Sequence, residues 1–206
     1  MSNRVREILR AFIGATASVK GHTGLVPAPA AGDESKFLKA DGTWGTPSGG
    51  GTISRAIITD EKSLSTDGGT FTSGAWRTRD LNTEVTDLDG IVSISSNQFT
   101  LGAGTYTIEW SAPGFACLRH QTQLYDVTGT AAVQRGSIEY SDIPFGSVSA
   151  QTRSMGIARV SPSGSNTYEI QHYCGTTRST DGFGHAGSLG SGGNEVYTIV
   201  TIIKWA

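Results

Sequence analysis

From residue 53 onward, apolar and polar positions alternate in short runs, the period-two signature of strands with one buried face. The alternation predicts strands over 53–58, 75–82, 91–95, 98–101, 105–111, 120–127, 132–140, 154–160, 167–174 and 195–205. Turn clusters punctuate them: Asp67-Gly68-Gly69, Asp87-Leu88-Asp89-Gly90, Gly102-Ala103-Gly104 and Ser161-Pro162-Ser163-Gly164. Short, closely spaced strands with glycine-rich turns predict an all-β sandwich of the jelly-roll kind. In Tyr106-Thr107-Ile108-Glu109-Trp110 the apolar set faces one side, as for a strand covered once. The last strand differs. Strict alternation puts Val196, Val200 and Ile202 on one face and Tyr197, Ile199, Ile203 and Trp205 on the other. Burying an Ile or Val is worth about 1.5–3 kcal/mol, so a strand apolar on both faces predicts a second burying surface, most simply further copies of the chain.

The pattern before residue 53 is different. Val5, Ile8, Leu9, Phe12 and Ile13 recur at helical spacing over residues 3–13, with Ser2 or Asn3 as N-cap and Gly14 as terminator. A helix of about three turns is marginal alone in water, so it needs something to pack against. Residues 21–52 hold half of the six prolines and end in Ser48-Gly49-Gly50-Gly51, a stiff, extended linker. Within it, Phe37-Leu38 and Thr43-Trp44 flank an Asp41-Gly42 turn. A lone hairpin of that size does not hold itself together, so Phe37 and Trp44 are expected to find partners on neighbouring chains. The organisation is therefore an arm (1–20), a stem and linker (21–52) and a head (53–206).

Composition narrows the class. With 28 glycines in 206 residues and only 17% charged residues, the chain is neither a self-repelling disordered coil nor, lacking a Gly-X-Y period, a collagen stalk. No apolar run reaches the roughly 18 residues of a membrane span, so membrane insertion is not expected. Glu7 and Arg10 break the N-terminal apolar stretch below the length of a secretory leader. Residues 1–20 carry Arg4, Arg6, Arg10 and Lys20 against Glu7, a net +3, which leaves −5 for the rest of a chain totalling −2. Four cations without interleaved aromatics do not make a nucleic-acid surface, and a protein partner for the arm is the reading.

Several blocks carry a resemblance. Leu25-Val26-Pro27-Ala28-Pro29-Ala30-Ala31-Gly32-Asp33, Lys36-Phe37-Leu38 and Asp41-Gly42-Thr43-Trp44 resemble a segment recurring in fibre and tail proteins of tailed phages. Asp67-Gly68-Gly69-Thr70-Phe71, the run Trp76 to Thr83, Arg119-His120-Gln121, Glu169-Ile170-Gln171-His172 and Thr180-Asp181-Gly182-Phe183-Gly184 resemble a phage fibre-tip domain. That domain is similar in pattern to the trimeric C1q/tumour-necrosis-factor jelly roll. The resemblance implies a homotrimer with the last strand near the three-fold axis, and a virion protein assembled in the host cytoplasm. Arg4, Val5, Ile8, Leu9 and Phe12 would then anchor on a capsid or tail protein. Phe37, Trp44, Tyr197, Ile199, Ile203 and Trp205 become trimer-interface candidates, and the head would bind a host-surface glycan or protein. The competing readings are a soluble C1q/TNF-like module outside phages and a polysaccharide depolymerase.

Candidate chemistry is sparse. No Gly-x-Ser-x-Gly elbow occurs, the carboxylate sets Asp60-Glu61, Asp87/Asp89 and Glu139/Asp142 sit at strand ends or turns, and the chain is expected to be neither an enzyme nor a cofactor carrier. Asp87-x-Asp89-Gly90 resembles a calcium-loop fragment but lacks the distal acid. His172 and Cys174, two apart, share a strand face; a metal site, a hydrogen-bonded His/Gln/Tyr ladder and a Cys117–Cys174 disulfide all remain open. Receptor contact is expected on loops. Arg178, Asp181, Phe183 and His185 lie in the stretch from Gly175 to Asn194 with its seven glycines, and Phe145 lies in a second loop. Phe183 has two readings there, an exposed contact or a residue tucked into the trimer.

Overall fold

A computed structural model describes residues 18, 27–46, 53–141, 149–190 and 192–205. The proposed N-terminal helix with Arg4, Val5, Ile8, Leu9 and Phe12, and the loop residue Phe145, lie outside the described residues. The chain divides into two units, 1–51 and 52–206.

In the first unit, strands β1 (Phe37–Leu38) and β2 (Trp44–Gly45) pair antiparallel around the expected turn. Asp41 shapes that turn by accepting hydrogen bonds from the backbone N–H and the hydroxyl of Thr43, at 2.9 and 2.7 Å, and Gly42 takes the positive φ of 80°. Trp44 donates its indole N–H to the Pro27 carbonyl at 2.9 Å, which lays the proline segment along the hairpin. Phe37 and Leu38 stay exposed.

The second unit is a sandwich of two antiparallel sheets. One has the order β10 (Ala131–Tyr140), β9 (Arg119–Asp126), β12 (Asn166–Cys174), β7 (Gln98–Leu101), β6 (Val92–Ser95), with β4 (Arg77–Thr78) also on β12. The other has the order β11 (Gln151–Val160), β8 (Thr105–Phe115), β13 (Glu195–Trp205), β3 (Ser54–Lys62), β5 (Thr83–Asp87). Ile108, Trp110, Val200, Ile202, Ile58 and Ala56 of the second sheet meet Phe99, Leu101, Leu124 and Ile170 of the first in one buried core. The alternation expected along β8 holds, with Tyr106, Ile108 and Trp110 buried and Glu109 outward.

Three expectations change. The predicted strand over 75–82 shrinks to Arg77–Thr78, because the chain then turns Arg79 into the interior instead of continuing a ladder. Residues 83–87 form an edge strand that their polarity concealed, with Glu84 and Val85 both exposed. Tyr197 also leaves the face it was assigned to. A register shift between Val196 and Ile199 inserts a bulge that reverses the alternation, so Tyr197 is 2% exposed and Val196 is outward. Its phenol donates to the Thr66 carbonyl at 2.7 Å, and Tyr197 has no surface to offer another chain. The Asp87 carboxylate caps the backbone N–H groups of Ile91 and Val92, both at 2.9 Å, which explains that turn without an ion.

A second buried cluster, Phe71, Cys117 and Cys174 with Phe183 against it, sits apart from the main core. Arg79 lies fully buried against it. Its guanidinium donates to Thr198 Oγ1 on β13 (2.9 Å), to the Pro113 carbonyl on β8 (3.3 Å) and to the Phe183 carbonyl (2.8 Å), and it lies 4.2 Å from the Phe183 ring centroid. Burial pulls the Arg79 pKa down to about 10, opposed by Asp60 and Asp80, so the group remains a cation at neutral pH. Asp60 is equally enclosed; burial pushes its carboxyl up, while Lys62, 3.1 Å away, and Arg79 pull it down. Substituting Arg79→Met strands Asp60 and three acceptors and is expected to destabilise the head by about 3–5 kcal/mol in urea denaturation. Arg79→Lys should recover little of this, because one ammonium does not reproduce a planar fork.

Candidate functional site

Arg178, Asp181 and His185 come together at one end of the sandwich. The Arg178 guanidinium grips the Asp181 carboxylate twice, at 2.7 and 3.0 Å, and this hydrogen bonding is the main reason that the Asp181 carboxyl is held low. His185 stacks on Phe115 at 4.7 Å, with Nδ1 3.4 Å from both Asp67 and Asp181. Asp67, Asp181 and His185 thus offer three ligand atoms within 4.8 Å of one another. Arg178 already occupies both Asp181 oxygens, and its positive charge opposes a cation there. The arrangement ties a loop down.

Backbone bonds strengthen that tie. Phe71 and Arg178 exchange N–H···O bonds at 2.8 and 2.9 Å, Gly68 donates to Gly184, and Phe183 donates to Gly69. Gly184 has φ near 148°, and a Cβ there would stand 2.1 Å from the Tyr197 ring, so glycine is required. Phe183 is drawn inward against Phe71, with centroids 4.6 Å apart, and beneath Arg79. Its partners are thus within its own chain. The exposed side of the stretch is His185 and Leu189.

The histidines settle into a ladder, on the interior side of β9 and β12. Thr152 Oγ1 donates to the Tyr140 carbonyl (3.1 Å) and so accepts from His120 Nε2 (2.8 Å); His120 Nδ1 then accepts from His172 Nε2 (2.9 Å). This order requires a neutral His120 ring, one nitrogen donating and the other accepting, and links β12 and β9 of one sheet to β11 of the other. The Gln members lie on the opposite face, where Gln123 donates to Gln171 at 2.7 Å. His172 faces His120 rather than Cys174. The two cysteines remain thiols: Cys117 Sγ lies 3.2 Å from Ser141 Oγ, and Cys174 contacts the Phe71 carbonyl. Burial, then the neighbouring Cys117, pushes the Cys174 thiol up to about 12, which makes it a poor nucleophile.

The remaining feature is the outer face of the β11-β8-β13-β3-β5 sheet. Across β11, β8 and β13, Met155, Ser111 and Ile199 stand in one row, Ile157, Glu109 and Thr201 in the next, and Arg159, Thr107 and Ile203 in a third. Met155 and Ile157 are 58% and 59% exposed, and Ile199 and Trp205 are also open. Trp205 donates its indole N–H to Thr107 Oγ1 at 2.9 Å, which tethers its ring to this face. Single exposed apolar residues are ordinary; here Met155 and Ile157 on β11 and Ile199 and Trp205 on β13 share one sheet face, with Ser111, Glu109 and Thr201 between them. Sequence reasoning found Ile199, Ile203 and Trp205 and missed Met155 and Ile157, whose strand alternates without an aromatic to flag it.

No family model matches the chain, and no curated protein matches it. Solved structures do resemble it. The Eiger TNF of S. frugiperda superposes with a TM-score of 0.50 at 7% identity, over 75% of this chain and 93% of that one. Murine APRIL at pH 8.0 gives 0.47 at 9% identity over 74% and 99%, and the globular domain of zebrafish complement 1qA gives 0.43 at 11% over 74% and 95%. The head is thus a jelly-roll sandwich of the C1q/TNF type.

Desolvation, then Arg79, lowers the His120 pKa to about 4 and holds His172 well below the ordinary range of about 6.5. A depressed folded pKa gives stability that is complete above pH ~6.5 and lost as the pH falls toward the folded value, since only the unfolded chain takes up the protons. Chemical denaturation between pH 7 and 4 should show a loss on the order of 3 kcal/mol from His120, with His172 adding to it. The His120→Gln/His172→Gln variant should lose markedly less over the same interval.

Proposed function

We propose that this chain is a non-enzymatic virion protein of a tailed phage, a homotrimeric fibre, spike or head-decoration knob. In this reading the N-terminal arm anchors on the capsid or tail, the stem helps three chains associate, and the jelly-roll head binds the host surface. The observation that carries the reading is the open apolar face around Met155, Ile157, Ile199 and Trp205. It includes one face of the strand for which the sequence alone demanded a second burying surface. Exposed Phe37 and Leu38 on the hairpin ask for the same cover. The phage assignment draws its support from the stem and head blocks that resemble fibre proteins. Glu61, a depolymerase candidate, is bonded to Thr59 and Asn194, while its neighbour Asp60 is enclosed beside Lys62, which favours binding over hydrolysis.

Light scattering on the purified chain should return three times the 21.6 kDa of one copy. Met155→Asp/Ile199→Asp should yield folded monomers with unchanged far-ultraviolet circular dichroism, since both positions face outward. A wild-type monomer would overturn the architecture. Virions lacking the chain that adsorb as well as intact ones would overturn the assignment.

A further inference from the structure

On the other side of the sandwich, the outer face of the β10-β9-β12 sheet carries a pocket of about 290 Å³. This is close to the lower bound of roughly 300 Å³ for small-ligand sites. Tyr173, Gln121 and Ile138 stand side by side in it, in register across β12, β9 and β10. Trp76, just before β4, closes the pocket with its ring edge-on to Tyr173 at 5.6 Å. Arg135 lies over the Trp76 ring at 5.3 Å, and Arg119 stands at the rim.

The local backbone is arranged for this. A register shift between Arg135 and Ile138 breaks the β10 ladder and swings Arg135 toward Trp76. Gly136, at the shift, lies so close to β9 and β11 that a Cβ would meet Thr122 Oγ1 at 2.4 Å and the Met155 carbonyl at 2.7 Å. Gln121 is held by donation to the Gly136 carbonyl at 2.9 Å. No carboxylate pairs with Arg119 or Arg135 among the described residues. An aromatic wall beside two unneutralised guanidinium groups fits a ligand with an apolar ring face and an anionic substituent in one small unit.

We propose that this pocket binds a carboxylate-bearing sugar residue, set against the Trp76 and Tyr173 side chains that wall it, with its carboxylate on Arg135 and Arg119. The inference rests on the host-binding reading for the source of the sugar, and names the ligand class and the site. It also relocates host contact from the loop of residues 175–194 to a sheet face that stays open when the opposite face is covered.

The test is calorimetric titration of the full chain with a glucuronic-acid-containing tetrasaccharide and with its neutral glucose counterpart. The acidic sugar should bind at least about tenfold more tightly, the gain expected of one charge-assisted pair. Arg135→Gln should remove about that factor, Trp76→Ala should abolish binding, and Trp76→Phe should restore part of it. Equal affinity for both sugars, no binding of either, or binding unchanged by Trp76→Ala overturns the proposal. Adhesion of the protein to host cells separates the two readings. Adhesion that survives Trp76→Ala overturns the pocket and leaves host binding standing. Sugar binding that depends on Trp76, in a protein that does not adhere to cells, supports the pocket and overturns the host-binding reading.

Discussion

A cation inside a β-sandwich is the constraint on which this head depends. Arg79 is enclosed where β8, β13 and the β12–β13 loop meet, and its fork reaches all three. Removing such a charge from water costs several kcal/mol unless each donor finds an acceptor, so the surrounding chain is held to one arrangement. The inward tuck of Phe183, the approach of Gly184 to Tyr197 and the ion-paired loop of Arg178 and Asp181 all converge on it. A glycine-rich stretch that sequence alone suggests is open filler is instead pinned from inside.

The same charge shapes its surroundings electrically. Asp60 is retained in the interior beside it, and the two histidines of the inter-sheet ladder are kept neutral by burial together with that positive field. Neutrality is what lets the ladder run in one direction, from His172 through His120 to Thr152 and the Tyr140 carbonyl. Polar residues that invite a metal reading are accounted for as fasteners between layers. They specify how the sheets meet more than they raise stability, since each bond gains only about 1 kcal/mol net.

With the interior and one end committed in this way, the two outer faces carry the exposed large side chains. They differ in kind. The sheet holding the last strand presents aliphatic side chains with Glu109 among them and Arg159 at the flank, a composition suited to self-association. The opposite sheet presents a bulge, an indole and two arginines that pair with no carboxylate among the described residues, a composition suited to a small anionic ligand.

Strand positions, the all-β class and the apolar residues on both faces of the last strand were legible in the sequence, because period-two alternation is a local property of each strand. The last strand was bounded correctly at 195–205 for that reason. Its faces were half legible: Ile199, Ile203 and Trp205 could be placed by counting, but Tyr197 could not, since a one-residue bulge reverses every side chain before it and depends on pairing with β3. Residues 75–82 misled, because a strand-like run gives no sign that Arg79 will be drawn inside by acceptors more than thirty residues away. The Trp76 pocket was invisible for the same cause: Trp76, Arg119, Arg135 and Tyr173 sit on four separate segments and meet only when β9, β10 and β12 pair. Local periodicity thus determined which segments are strands and that the last of them carries apolar residues on both faces. Long-range pairing decided which side chains share a face, and with them where the candidate chemistry lies.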